Sequence, residues 1–280
     1  MRARALVILC AIALVGILCF AIAGLFGGGK EQPSSTDQQQ TTEASQTSET
    51  TPETTPAQTS EQQPAQHNIY VPESAAMGED YFADALFIGN SRTQGFQLYS
   101  GVSNTTYYAS KGLSVAGALS KAVVEENGQS LTIEQALSNH SFAKVYIMLG
   151  INEAGMDKQA FHDRYLQLVQ MVQQKQSNAI IYLQSVIPVS EKKNAEGGTV
   201  NNANVQAMNE KIQQVAQECE VYYLDVASAV TNGTGVLPAD ASPDGVHLGT
   251  TYVNIWKNYL LTHTVQQTEQ QPEQQPQPVG

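Results

Sequence analysis

The stretch KVYIMLG, residues 144–150, is a short apolar run with β-branched and aromatic side chains, and it stops at a glycine. Four further runs have the same character, at residues 85–88, 105–109, 179–186 and 221–226. Near-continuous apolar runs of this length are typical of strands that are covered on both faces. The chain is therefore predicted to contain a sheet of five buried strands.

Helical patterns separate these runs. Apolar residues recur there at intervals of three and four, as on the buried face of a helix, at Phe161, Tyr165, Leu168, Val169 and Val172, and again at Val205, Met208, Ile212 and Val215. Alternating strands and helices predict an α/β fold with a parallel sheet and helices on both faces. Ligands of such sheets bind beyond the carboxyl ends of the strands. The residues that follow each run are therefore the candidates for a functional site.

The N-terminus of the 280-residue chain carries an apolar run at residues 5–26, preceded by Arg2 and Arg4. Its length is sufficient to cross a bilayer, and positive charge before such a run keeps the N-terminus in the cytoplasm. We expect residues 1–26 to be a transmembrane anchor, which makes the protein a single-pass protein of the cell membrane with an extracytoplasmic domain. The alternative is a signal peptide that is cut after Ala23, which releases a secreted protein.

Residues 27–66 and 265–280 consist largely of Gln, Thr, Ser, Glu and Pro, which predicts a disordered linker and a disordered tail. Residues 67–264 remain as one domain. The net charge of −12 excludes a nucleic-acid partner that is bound through phosphate contacts. Three cysteines exclude a disulfide-dense scaffold. We expect no metal and no cofactor, because no cluster has metal-ligand spacing and no glycine-rich phosphate loop follows a strand.

Four polar blocks lie at or near the predicted strand ends and the C-terminus: GNSRT at 89–93, KGL at 111–113, GINE at 150–153 and SPDGVHL at 242–248. In this order they resemble the SGNH (GDSL-type) hydrolase family. The resemblance is closer to membrane-anchored Gram-positive members that read GNSRT or GDSRT, MLGINE and DGVHL. It implies a three-layer, flavodoxin-like fold with a five-stranded parallel sheet, and acyl transfer by a Ser-His-Asp triad.

The resemblance also implies the role of each site residue. Ser91 is the expected nucleophile, His247 the general base and Asp244 the carboxylate that orients the base. The backbone N–H groups of Ser91 and Gly112 and the side-chain amide of Asn152 are the expected oxyanion hole.

The chemistry of these residue types agrees with those roles. A serine hydroxyl becomes an effective nucleophile when a neighbouring base takes its proton. Asp244 and His247 are three residues apart, so that one loop can deliver both. Gly112 has no Cβ to obstruct its N–H, and Asn152 is a neutral donor for a charge that exists only in the transition state.

Five other residues near these blocks receive weaker interpretations. Arg92 and Gln184 are predicted to contact substrate, Arg92 through an anionic group, although a structural ion pair explains Arg92 as well. Asp225 is a rival triad acid. Asn90 stands where the family usually has an acid, and Glu153 stands where the family usually has a different acid. The asparagine puts the geometry of the serine turn in question.

The sequence therefore predicts an extracytoplasmic serine esterase that acts on small O-acyl esters, with acetyl groups of cell-wall or surface glycans as the expected substrate. Three alternatives remain: an O-acetyltransferase for cell-envelope sugars, a lysophospholipase or thioesterase, and a surface glycan-binding module without catalysis. The expected partners are the acyl ester or acylated glycan and, through residues 1–26, the membrane.

Overall fold

A computed structural model of the chain describes residues 67–266. The predicted anchor, the linker and all but two residues of the tail lie outside this range. Within it, no helix combines the length and the hydropathy needed to cross a membrane.

The central sheet contains five parallel strands. They are β1 (Ala85–Gly89), β2 (Thr106–Ala109), β5 (Lys144–Met148), β6 (Ile180–Gln184) and β7 (Tyr222–Leu224), in the spatial order β2-β1-β5-β6-β7. Each coincides with a predicted run to within two residues at either end. Counted along the sheet alone, the order is the flavodoxin-like 2-1-3-4-5. The prediction of a five-stranded parallel α/β sheet is confirmed.

The helices alternate with the strands along the chain, and the last two that the structure describes follow the final strand. They are α1 (Ser91–Tyr99), α2 (Val115–Ser120), α3 (Ile133–Asn139), α4 (Lys158–Lys175), α5 (Glu191–Ala195), α6 (Asn202–Glu218), α7 (Val226–Thr231) and α8 (Thr250–Thr262). Three short 3₁₀ turns occupy Glu79–Phe82, Ile151–Glu153 and Ala239–Ala241.

Alternation along the strands divides the core into two parts. Val145 and Ile147 of β5 pack with buried residues of α2, α3, α4 and α6, whereas Tyr146 and Met148 pack with buried residues of α1, α7 and α8. The second part contains a ladder of stacked rings in which the centroid of Tyr146 lies 4.7 Å from those of both Phe87 and Tyr182. Each stacked pair stabilises the fold by about 0.5–1.5 kcal/mol beyond the contribution from burying its rings. The result is three layers with the sheet in the middle.

One element was not predicted from the sequence, an antiparallel hairpin of β3 (Ala122–Glu126) and β4 (Gln129–Thr132). Its turn is Asn127-Gly128, and both residues have a positive φ, 51° and 76°. An Asn-Gly pair between two short runs is the strongest local signal for a two-residue hairpin turn. The turn signal is present in the sequence, but the two strands are partly exposed and therefore form no long apolar run.

The fold brings two of the polar blocks together. β1 and β5 are neighbours in the sheet, and the chain leaves β1 toward one side of the sheet order and β5 toward the other. This is the topological switch point, where the loops diverge and leave a crevice. Residues 90–93 follow β1 and residues 149–153 follow β5, so both blocks border this crevice.

Candidate active site

Ser91 is the first residue of α1 and follows β1 after a tight turn. At Gly89 the turn packs so closely that a Cβ would lie 2.9 Å from the carbonyl oxygen of Met148. Asn90 is the N-cap residue, and its side chain accepts a hydrogen bond of 3.0 Å from the backbone N–H of Arg92. Asparagine and aspartate cap helices about equally well. The replacement of the usual acid therefore leaves the serine turn intact, and the N-terminal end of the helix dipole lies at the serine.

The structure brings Ser91, His247 and Asp244 into one hydrogen-bonded chain. The Oγ of Ser91 lies 2.9 Å from Nε2 of His247, and Nδ1 of His247 lies 2.6 Å from Oδ2 of Asp244. Ser91 and His247 are 156 residues apart in sequence. This is the arrangement in which a carboxylate orients an imidazole toward a hydroxyl.

The second oxygen of Asp244 organises its own loop. Oδ1 accepts hydrogen bonds from the backbone N–H groups of Val246 and His247, at 2.9 and 2.8 Å, and from the hydroxyl of Ser242 at 3.0 Å. Partial burial opposes the charge of Asp244, but the hydrogen bonds from His247, Val246 and Ser242 outweigh it and hold the pKa of this carboxyl well below its usual range. Asp244 is therefore an ionised, fully engaged partner for the imidazole.

The same loop requires glycine at position 245. Gly245 has a φ of 77°, and a Cβ there would lie 2.4 Å from the Oγ of Ser190. A side chain would meet both backbone strain and a steric clash. Gly245 therefore lets the Asp244–His247 segment lie directly against the start of α5.

Arg92 lies beneath this loop and is 3% exposed. Its Nε donates to the carbonyl oxygen of Val246 at 3.0 Å, and its Nη atoms donate to the carbonyl oxygens of Ile187 and, at 3.4 Å, Pro188. Burial lowers the pKa of the guanidinium to about 10, and the charge of Asp244 opposes this shift. The prediction that Arg92 binds an anionic group of the substrate is therefore wrong, because each of its three side-chain nitrogens donates to a backbone carbonyl oxygen. Arg92 ties the loop that carries the histidine to the segment that follows β6.

Gln184 and Asp225 also have structural partners. Gln184 is 1% exposed, and its Oε1 accepts a hydrogen bond of 2.7 Å from the indole N–H of Trp256. The prediction that Gln184 contacts substrate is wrong, because its side chain points into the core. Asp225 caps α7 by accepting from the backbone N–H of Ser228 at 3.2 Å. Among the described residues, the carboxylate that contacts the imidazole of His247 is that of Asp244.

The segments with Gly112 and Asn152 are joined to each other. Gly112 is exposed and has a φ of 73°. Asn152 is exposed, and its Nδ2 donates one hydrogen to the carbonyl oxygen of Leu113 at 2.9 Å. A primary amide has two such hydrogens, so that the second stays available for a ligand. The bond to Leu113 fixes the orientation of the amide.

Glu153, which is buried, also joins the segment of Asn152 to the segment of Gly112. Its Oε1 accepts the backbone N–H of Val115, at the start of α2, while Oε2 is buried without a partner among the described residues. Burial raises the pKa of this carboxyl, although the N–H of Val115 and the charge of Arg164 act in the opposite direction. This contact was not predicted from the sequence, because Val115 and Glu153 are 38 residues apart and leave no local pattern.

Residues 87–251 match the GDSL-like lipase/acylhydrolase family. The match covers more than half of the chain. The chain belongs to this family. A comparison with curated proteins finds no match.

Among solved structures, the first of the three that follow shows the same fold as this family member. A protein from Streptococcus pneumonia, named provisionally as a platelet activating factor, has a TM-score of 0.51 at 19% identity, over 63% of this chain and 81% of that one. A protein from Slackia heliotrinireducens, named provisionally as an SGNH hydrolase, has 0.49 at 18% identity, over 64% and 97%. A GDSL-like lipase from Bacteroides thetaiotaomicron has 0.47 at 13% identity, over 65% and 88%. The match of residues 87–251 to the acylhydrolase family confirms the predicted family and the prediction of a hydrolase.

Two cavities of this acylhydrolase family member border the triad-like chain. A pocket of about 220 Å³ is lined by Ser91 and His247. A larger cleft of about 950 Å³ is lined by Asp244 and Gly245, but by neither Ser91 nor His247. A substrate that reacts with the hydroxyl of Ser91 must therefore bind in the smaller pocket, although the cleft beside Asp244 is larger.

Proposed function

We propose that the protein hydrolyses small O-acyl esters through an acyl-enzyme that forms on Ser91. The observation that carries this proposal is the chain of hydrogen bonds from Ser91 through His247 to Asp244, at 2.9 and 2.6 Å, at the switch point of an acylhydrolase-family sheet. The oxyanion hole consists of the N–H groups of Ser91 and Gly112 and the second hydrogen of the Asn152 amide.

The reaction has two halves. His247 takes the proton of the Ser91 hydroxyl while Oγ attacks the ester carbonyl, and the carbonyl oxygen becomes an oxyanion. His247 then gives this proton to the leaving oxygen as the carbon–oxygen bond breaks, which releases the alcohol. In the second half water takes the place of the alcohol and attacks the acyl carbon while His247 accepts its proton. The bond between this carbon and Oγ of Ser91 then breaks, His247 returns the proton to Oγ, and the acid leaves. Asp244 stays ionised and stabilises the imidazolium in both halves.

The acyl group in this proposal is acetyl, and the substrate is an O-acetylated glycan of the cell wall or cell surface. Support for the location comes from the amino-acid sequence, in which a predicted anchor and a 40-residue linker precede the domain. An O-acetyltransferase uses the same first half but passes the acyl group to a sugar hydroxyl. A lysophospholipase or thioesterase uses the same residues with longer acyl chains.

The test is hydrolysis of p-nitrophenyl acetate by the purified full-length protein and by Ser91→Ala. Wild type should release p-nitrophenol and the variant should lose nearly all of this activity, while Ser138→Ala, at an exposed serine of α3, should retain it. Equal inertness of wild type and Ser91→Ala contradicts the enzyme proposal and favours the binding module. Preferential acetyl transfer to an added oligosaccharide identifies the transferase, and rates that rise steeply with acyl length identify the lipase-like alternative.

A further inference from the structure

A groove runs along α1 away from the nucleophile. Ser91, Gln94, Gly95, Leu98 and Tyr99 line it at helical intervals of three and four residues, and His247, Leu248 and Val253 line its other wall. From Ser91 to Tyr99 the helix rises about 12 Å. Of the three proposed oxyanion donors, Gly112 and Asn152 do not line the groove.

The far end of this groove is apolar and exposed. Leu98 is 71% exposed and Tyr99 is 50% exposed. Among residues 67–266 only four large apolar side chains are exposed, and these two are neighbours in the groove; the others are Tyr70 and Ile255. Paired exposed apolar side chains that continue from a reactive serine indicate a surface that is covered by an apolar ligand.

The position of the base indicates which part of the substrate lies in the groove. The leaving oxygen must receive its proton from Nε2 of His247, so that the leaving group lies against this ring during the reaction. The ring of His247 borders the groove, whereas Gly112 and Asn152, toward which the carbonyl oxygen is expected to point, do not.

We propose that this groove, the α1 groove, binds the leaving group of the ester through apolar C–H surface next to the scissile oxygen. The inference rests on the proposed function and adds the class of alcohol to it. Apolar C–H surface of this kind belongs to an alkyl alcohol or to the non-polar face of a sugar ring, and Leu98 and Tyr99 contact it in either case.

Gly95 provides a sharp test because it lies in the floor of the groove. A Cβ at this position meets no atom within 4 Å, so that Gly95→Leu extends into the groove without a clash at its first atom. Leucine is also a better helix former than glycine, which favours folding of the variant. Gln97→Leu is the matched control, because Gln97 is an exposed residue of α1 outside the groove.

The experiment measures kcat/KM of the full-length protein on two ester series. The first series keeps the acyl group and varies the alcohol (methyl, propyl and butyl acetate); the second keeps the alcohol and varies the acid (methyl acetate, butyrate and pentanoate). Each fully buried methylene is worth roughly fourfold. At half burial, butyl acetate should exceed methyl acetate on the order of tenfold, and the second series should show no such gain.

Gly95→Leu should reduce the butyl-to-methyl ratio to near one, Leu98→Ala should lower it in part, and Gln97→Leu should leave it unchanged. An undiminished ratio in Gly95→Leu, or a gain that follows the acyl chain instead of the alcohol, overturns the inference. An O-acetylated methyl glucoside separates the two sources. If kcat/KM for the glucoside is higher than for butyl acetate and Gly95→Leu lowers it, the ligand of the groove is the sugar face. If kcat/KM is higher for butyl acetate, the ligand is an alkyl alcohol.

Failure of the inference is distinguishable from failure of the proposed function. If wild type hydrolyses all acetates equally well and Ser91→Ala does not, the esterase stands and only the α1 groove loses its role. If wild type and Ser91→Ala are equally inert on every ester, the proposed function itself is wrong.

Discussion

The substitution Asp244→Asn replaces one oxygen atom in the hydrogen-bonded chain of Asp244, His247 and Ser91 by an NH₂ group, and it preserves the shape of the loop. Oδ1 of Asp244 accepts from the N–H groups of Val246 and His247 and from the hydroxyl of Ser242, and asparagine has an oxygen for the same three donors. The other position, 2.6 Å from Nδ1 of His247, becomes an NH₂ group. A donor there cannot accept the hydrogen of Nδ1.

The imidazole must then take the tautomer that carries its hydrogen on Nε2. In that tautomer Nε2, which lies 2.9 Å from the Oγ of Ser91, cannot accept the serine proton. A wrong tautomer at an otherwise intact triad lowers kcat on the order of 10⁴-fold, or roughly 5 kcal/mol of transition-state stabilisation. The free energy of unfolding should change much less, because the three contacts of Oδ1 remain.

The assay is the kcat of wild type, Asp244→Asn and Asp225→Asn on p-nitrophenyl acetate, with a thermal melt of each. Asp225→Asn is the matched control, because the residue caps α7 and asparagine is an equally good N-cap. Its kcat should stay within about twofold of wild type. The proposed role of Asp244 is wrong if Asp244→Asn keeps more than about a tenth of the wild-type kcat, or if Asp225→Asn lowers kcat as much as Asp244→Asn does.

Three further predictions concern the residues that hold the site. Asn152→Ala should lower kcat on p-nitrophenyl acetate about 10²–10³-fold with a smaller change in KM, because one oxyanion donor is lost; a change in KM alone would contradict this. Arg92→Met should lower the free energy of unfolding by about 1–3 kcal/mol. Buried carbonyls such as that of Ile187 lose their donor at about 1–3 kcal/mol each, and removal of the buried charge offsets part of this loss. An unchanged midpoint in a urea titration would count against this structural role of Arg92. The raised pKa of Glu153 means that this group contributes stability below its unfolded pKa of about 4.3, and that this contribution is lost as pH rises through the folded value. Glu153→Gln, whose oxygen can still accept from Val115, should therefore be more stable than wild type at neutral pH, and urea titrations at pH 4 and pH 7 that show the same difference between variant and wild type would speak against it.

Local patterns carried the prediction of the sheet and most of the site. The run at residues 144–150 matches β5, and the helical periodicity that begins at Phe161 matches α4. Three of the four polar blocks follow directly from strand ends, so that the topology of a parallel sheet collects them at one edge. The hairpin at Asn127-Gly128 was missed although its turn signal is local, because its strands have too few buried positions to stand out.

By itself, the amino-acid sequence determined the α/β class, the family resemblance and the presence of Ser91, Asp244 and His247 in separate blocks, because periodicity and motif spacing are local properties of the chain. The tertiary structure decided what lies against what. It gave Arg92 the carbonyl of Val246 as a partner in place of a substrate anion, and it buried Gln184 against an indole. It also aligned the α1 groove with the nucleophile. These outcomes depend on contacts between segments that are tens to more than one hundred residues apart, which no window of sequence contains.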